Sequence, residues 1–115
     1  MTTVLIVDGR VAVRESLRGP LTDGGCEVYT AADLPEAQEV LAHHDCDTVL
    51  IDAALLPADR TTLQHESPAL AGEVPLIMIS TEPDGEAVAD AARLGAYDCV
   101  TKPLSNERLL HIVER

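Results

Sequence analysis

The sequence predicts an α/β domain, a five-stranded parallel sheet with helices on both faces, and three observations predict it. The apolar runs Val4 to Val7, Thr48 to Ile51 and Leu76 to Ile79 show no polar alternation, which is the pattern of strands buried on both faces. Helical segments separate these runs, as the crossovers between parallel strands require. Polar residues follow the runs at corresponding places: Asp8, Asp52, Ser80 with Thr81, and Lys102. Right-handed crossovers carry all of them to one sheet edge, where ligands of open α/β sheets gather.

Taken in order, strand one is Val4 to Val7. The helix after it runs from about Ala12 toward Leu21, with Val13, Leu17 and Leu21 at helical spacing. Pro20 is expected to kink or stop it, and Gly24 and Gly25 make the turn. Glu27 to Thr30 is shorter and more polar, as an edge strand allows. Pro35 opens a second helix through about His43, with Ala37, Val40 and Leu41 facing inward.

Strand three, Thr48 to Ile51, runs into Asp52. A loop containing Pro57 follows, then a weak helix from about Asp59 to Leu70, interrupted by Ser67 and Pro68. Pro75 precedes strand four, Leu76 to Ile79, at a place where its missing N–H is not needed. An alanine-rich helix over 84–94 is stopped by Gly95. Strand five is Asp98 to Thr101, and a last helix covers 106–113. No internal repeat, linker or low-complexity tract interrupts this alternation.

The 115 residues suffice for one core and not for two. With two Tyr and neither Trp nor Phe, that core is built from Leu, Val, Ile and Ala. Twenty acidic against eight basic residues leave a net charge of −12, which opposes direct binding to nucleic acid or to an anionic membrane. It suits divalent cations and basic protein partners. No stretch approaches the ~20 apolar residues of a membrane span. Cys26, Cys46 and Cys99 are odd in number and lack metal or redox spacing, so they read as reduced thiols of a cytoplasmic protein. His43, His44, His65 and His111 fall on polar helix faces or ends, and the adjacent pair cannot share a face.

Two carboxylates, a hydroxyl and an ammonium at one edge make a site for a divalent cation and an oxyanion. Hard oxygen ligands hold Mg²⁺, while the hydroxyl and the ammonium bind a phosphoryl group. Each residue also has a plainer reading: Asp8, Asp52 and Ser80 as caps of the following segment, Lys102 as a surface ion-pair partner.

The segments Val4 to Asp8, Asp47 to Asp52, Pro75 to Ser80 and Thr101 Lys102 Pro103 together resemble the receiver domain of bacterial two-component response regulators, over the whole chain. The resemblance implies a flavodoxin-like sheet in the order 2-1-3-4-5 with five helices. It also implies that Asp52 accepts a phosphoryl group from a sensor histidine kinase or phosphotransfer protein. By the same resemblance Asp8 belongs to the acidic Mg²⁺ pocket with Asp52 and the backbone carbonyl of Ala54, Ser80 is the switch hydroxyl, and Lys102 is the cation, aimed by a cis bond before Pro103. Such a domain is not an enzyme beyond self-catalysed phosphoryl transfer to Asp52 and its hydrolysis. An output domain or partner would read the surface of the helix over 84–94, strand five and the last helix, and a second copy of the chain is a further candidate partner. The last helix leaves no room for an output module before Arg115, so residues 1–115 are expected to be the N-terminal part of a longer regulator.

The sequence departs from the family pattern at several positions. The second of two adjacent acids is Gly9. Three carboxylates and a lysine would carry −2, whereas Asp8, Asp52 and Lys102 carry −1, so Mg²⁺ is expected to bind more weakly. The aromatic switch position is Cys99, with Tyr97 the nearest substitute. After Asp52 the usual proline falls on Leu56 and the usual glycine on Arg60. Arg10 either swings in as a fixed positive charge where Mg²⁺ would sit or is simply solvated, the commoner state at a helix start. Gly9 and Cys99 point to an alternative, a pseudo-receiver that docks proteins without phosphorylation. Other enzymes on this topology fit worse: a haloacid-dehalogenase-like phosphatase wants an Asp where Ala54 stands, and a flavodoxin wants a hydroxyl- and glycine-rich loop where Gly9 to Val13 stand.

Overall fold

In a computed structural model of the chain, which describes residues 1–57, 59–72, 74–80, 94–95, 98–101 and 105–114, five parallel strands form one sheet in the order β2-β1-β3-β4-β5. The strands are β1 (Thr3–Val7), β2 (Glu27–Ala31), β3 (Thr48–Asp52), β4 (Leu76–Ser80) and β5 (Asp98–Thr101). Among the described residues the helices are α1 (Val11–Asp23), α2 (Leu34–His43), α3 (Arg60–Glu66) and α4 (Asn106–Glu114), with a 3-10 turn at Ala53–Leu55. The helix expected over 84–94 lies outside the described residues apart from Leu94, which is buried.

The unbroken apolar runs explain the two-sided core. Alternate side chains of a strand point to opposite faces. Leu5, Val7, Val49 and Ile51 therefore pack on one side with Ala37 of α2 and Leu63 of α3. Val4, Ile6 and Leu50 pack on the other with Leu17 and Leu21 of α1 and Leu109 and Ile112 of α4. Burying each such side chain is worth about 1.5–3 kcal/mol, and β1 and β3 at the centre contribute on both faces. Edge strand β2 is partly exposed along most of its length, as its polar composition predicts.

Two boundaries differ from the sequence reading. Helix α1 continues through Pro20 to Asp23. So near the helix end, proline removes one backbone bond, to the carbonyl of exposed Ser16, which water can reach. Helix α3 ends at Glu66, not near Leu70. Pro68 disfavours helical geometry in the residue before it, and Ser67 has left it, at φ −146° and ψ 75°. The turn after α1 uses Gly25 at φ 92°, a conformation that glycine adopts without penalty.

Candidate functional site

The register of the sheet brings the site together. Val7 lies opposite Ile51, so Asp8 and Asp52 follow at the same level of adjacent strands β1 and β3. Asp52 in turn lies opposite Ile79, which puts Ser80 one residue further along β4. Ser80 pairs with Thr101 of β5. Lys102 comes next, but Lys102, Pro103 and Tyr97 lie outside the described residues.

Asp8 is held from both sides. Its N–H donates to the Ala31 carbonyl at 3.1 Å, continuing the β1–β2 ladder, and its own carbonyl accepts from Arg14 Nη1 at 2.7 Å. Its buried carboxylate accepts the Arg10 N–H at 2.9 Å through Oδ1. Helix α1 has no side-chain cap from Arg10 itself, so Asp8 supplies the anion at that helix start.

Asp52 ends β3 and caps the 3-10 turn, its Oδ1 accepting the Ala54 N–H at 3.1 Å. Its side chain is 17% exposed, against 3% for Asp8. Of the two carboxylates, Asp52 is the one that a reagent from solvent can reach. Ser80 is partly buried at the end of β4.

Among the described residues, the cation that joins these carboxylates is Arg10. Its Nε lies 3.4 Å from Asp8 Oδ1 and its Nη2 lies 3.8 Å from Asp52 Oδ2, while its side chain is 57% exposed. Arg10 thus leans over both carboxylates while more than half of its side chain stays in solvent, so it shares in both sequence readings. Arg14 was not singled out in the sequence. Its signal was its place at the start of α1, directly after the strand end that carries Asp8.

The donor set fits a divalent ion poorly in this arrangement. Gly9 contributes no carboxylate, and among the described residues no three His, Cys, Asp or Glu side chains converge. A guanidinium already pairs with both carboxylates that are present. Space is not the obstacle: a Cβ at Gly9 would meet only the Ala32 carbonyl, at 3.7 Å.

Cys99, at the switch position expected to be aromatic, is partly buried in β5 and packs against the α2 and α3 side of the core. Cys26 is buried and Cys46 half-buried, and neither takes part in a disulfide. Burial pushes the Cys46 thiol up, and Asp47 and Asp45 add to the shift, so it is a poor nucleophile. His43 pairs with Glu39 at 2.9 Å and His44 stacks on Tyr29, both away from the strand ends. Arg60, where a glycine was expected, reaches across the fold to the carbonyls of Leu94 and Ala71.

Comparison with known proteins places this geometry. The family model described as "response regulator receiver domain" matches residues 4–114. The glycerol metabolism activator of Pseudomonas putida is 29% identical over 122 residues, which take in 100% of this chain and 53% of that protein. Response regulator MprA of a Mycobacterium species is 29% identical over 107 residues, covering 93% of this chain and 46% of that protein. The chain thus spans about half the length of these relatives, and a quarter of others. Among solved structures, Vibrio cholerae chemotaxis protein CheY4 superposes with a TM-score of 0.82 at 28% identity, covering 100% of this chain and 98% of that one.

Proposed function

The chain belongs to the response regulator receiver domain family, a family of phosphorelay signalling modules, and from that premise we propose that Asp52 is its phosphoacceptor. The observation that carries the reading is the strand-end geometry. Asp52 is the more exposed of two carboxylates at one level of the sheet, and a cation already faces its Oδ2. The cap bond from Ala54 holds Oδ1, so Oδ2 is the oxygen positioned to attack.

In this reading Asp52 Oδ2 attacks the phosphorus of a phosphohistidine. The P–N bond breaks, its electron pair stays with the imidazole, and an acyl phosphate forms without loss of a proton from Asp52. The added charge lies next to Ser80, whose hydroxyl would donate to a phosphoryl oxygen, and Lys102 would supply a further positive charge. Asp8 and Asp52 with the Ala54 carbonyl are too few oxygen donors to hold Mg²⁺ strongly, and its binding is proposed to be weak. Transfer to Asp52 and its later hydrolysis are self-catalysed, and the domain has no other chemistry.

Receiver domains exchange phosphoryl groups with histidine kinases or phosphotransfer proteins and act on output domains. Here the proposed output surface comprises β5 and the exposed side of α4, where Glu107, Arg108 and His111 face solvent, together with the segment over 84–93. Residues 1–115 are proposed to be the receiver part of a longer cytoplasmic regulator, since the relatives named above are about twice as long. One of them is named an activator of glycerol metabolism; control of transcription is the output proposed here, and a homodimer is a candidate assembly. No helix among the described residues is long and apolar enough to cross a membrane. The docking-module alternative has no support beyond Gly9 and Cys99 themselves.

Incubation with acetyl phosphate, followed by intact-mass measurement, tests the assignment. Wild type is expected to gain the mass of one phosphoryl group, and Asp52→Asn none. Equal modification of Asp52→Asn would remove Asp52 from the role.

A further inference from the structure

We propose that Arg10 is the resident cation of this site. It occupies the position between Asp8 and Asp52 and stabilises the phosphoryl group transferred to Asp52, so that the site depends less on a divalent ion than its fold implies. The proposal rests on the phosphoacceptor reading of Asp52 and adds the residue that compensates its charge.

The geometry is specific. The backbone N–H and Nε of Arg10 both meet Asp8 Oδ1, at 2.9 and 3.4 Å. This leaves the far end of the guanidinium to reach Asp52 Oδ2 at 3.8 Å. Asp8 therefore anchors the side chain while Nη2 faces the reactive carboxylate. At 3.8 Å the contact is longer than a hydrogen bond. A phosphoryl group on Oδ2 would bring its oxygens toward Nη2, and guanidinium and phosphate match in planar, paired hydrogen bonding.

Charge points the same way. Asp8 and Asp52 carry −2, and Arg10 brings the pair to −1. Gly9 is the complement: it leaves no third carboxylate to draw in a divalent ion. Arg10 is also more than half exposed, so a phosphodonor can approach without displacing buried structure.

When acetyl phosphate is the donor, Asp52 Oδ2 attacks phosphorus, the P–O bond to acetate breaks, and acetate leaves with the electron pair. Asp52 thereby gains about one further negative charge. Loss of a charge-assisted hydrogen bond to that group corresponds to about a 10- to 100-fold fall in rate.

The experiment compares wild type, Arg10→Ala, Arg10→Lys and Gly9→Asp in two assays. The first is the rate of labelling by acetyl phosphate, with EDTA or with saturating Mg²⁺. The second is Mg²⁺ affinity by calorimetry, without phosphodonor. In EDTA, Arg10→Ala is expected to be labelled about 10- to 100-fold more slowly than wild type, and Arg10→Lys to keep part of the rate as a point charge. Mg²⁺ should bind about 5-fold tighter to Arg10→Ala, and tighter still to Gly9→Asp. Equal Mg²⁺ affinity in wild type and Arg10→Ala would overturn the proposal whatever the labelling shows, and so would equal labelling rates in EDTA. Absence of labelling in wild type under both conditions would instead sink the phosphoacceptor reading, with the Mg²⁺ affinities still deciding whether Arg10 is the resident cation.

Discussion

Replacing Arg60 by alanine should loosen the fold on the far side of the Asp52 loop. Its guanidinium donates through Nη1 to the Leu94 carbonyl at 2.9 Å and through Nη2 to the Ala71 carbonyl. Both acceptors belong to buried residues. Hydrogen bonds from a charged donor are worth about 1.5–3 kcal/mol each. Two such bonds come to about 3–6 kcal/mol, and holding an arginine side chain in one conformation costs up to about 2 kcal/mol, so the net loss in Arg60→Ala is about 1–4 kcal/mol, centred on about 2.5 kcal/mol. At about 2.1 cal/mol/K per residue, 115 residues lower the midpoint by about 10 °C. Gly95 provides the cross-check: its φ is 73°, and a Cβ there would stand 2.5 Å from Arg60 Nη1. Gly95→Ala should therefore cost more in wild type than in Arg60→Ala, where only the backbone strain remains, and a double-mutant cycle measures that difference. Urea unfolding gives the stabilities, and amide exchange locates the effect around residues 70–72 and 94–95. A loss in Arg60→Ala below about 0.5 kcal/mol, the range of ordinary surface substitutions, would refute the reasoning. So would exchange accelerated equally in β1.

Two further outcomes concern helix starts. Asp33 caps α2 by accepting the Glu36 N–H at 2.9 Å, while Glu36 reaches back to the Ala32 N–H. Asp33→Ala should cost about 1 kcal/mol in urea unfolding, with labelling of Asp52 unchanged. Asp59 caps α3, and the Thr62 N–H that it accepts holds its carboxyl below the ordinary aspartate value. A depressed folded pKa stabilises above the unfolded value, and the contribution disappears as pH falls through the folded one. The stability difference between wild type and Asp59→Ala should therefore be full at neutral pH and shrink below about pH 4. A difference that grows on acidification would contradict the cap.

The sheet was legible because strands buried on both faces are apolar through their middle, as residues 4–7, 49–51 and 76–79 are. Their order came from the family resemblance rather than from the residues, and the observed register puts Asp8, Asp52 and Ser80 at one edge. Arg10 and Arg60 were legible only as departures from a pattern. Both are long side chains that reach beyond their sequence neighbours, Arg10 to Asp52 at the end of β3 as well as to nearby Asp8. Arg60 meets a carbonyl 34 positions away, and no periodicity encodes that reach. Pro20 stops the helix less than expected: it lies three residues before the end of α1, where the single backbone bond it removes leaves an exposed carbonyl that water reaches.

The plain and the functional readings of the strand-end carboxylates turn out not to compete. Asp52 caps the turn that follows it, as a bland strand-end aspartate would, and Asp8 receives the first N–H at the start of α1. For Asp52 the cap uses one oxygen and leaves the other toward Arg10. A carboxylate held in this way presents one defined oxygen to a phosphodonor, at no entropic cost when the reaction begins. For Asp8, one oxygen accepts both the backbone and the side chain of the same arginine, so the bond that starts helix α1 also orients the cation of the site. On the proposed assignment of Asp52, local capping is thus the means by which this sheet edge would become a reactive one. For the same reason, a substitution at Asp8 should disturb the start of α1 and the position of Arg10 together.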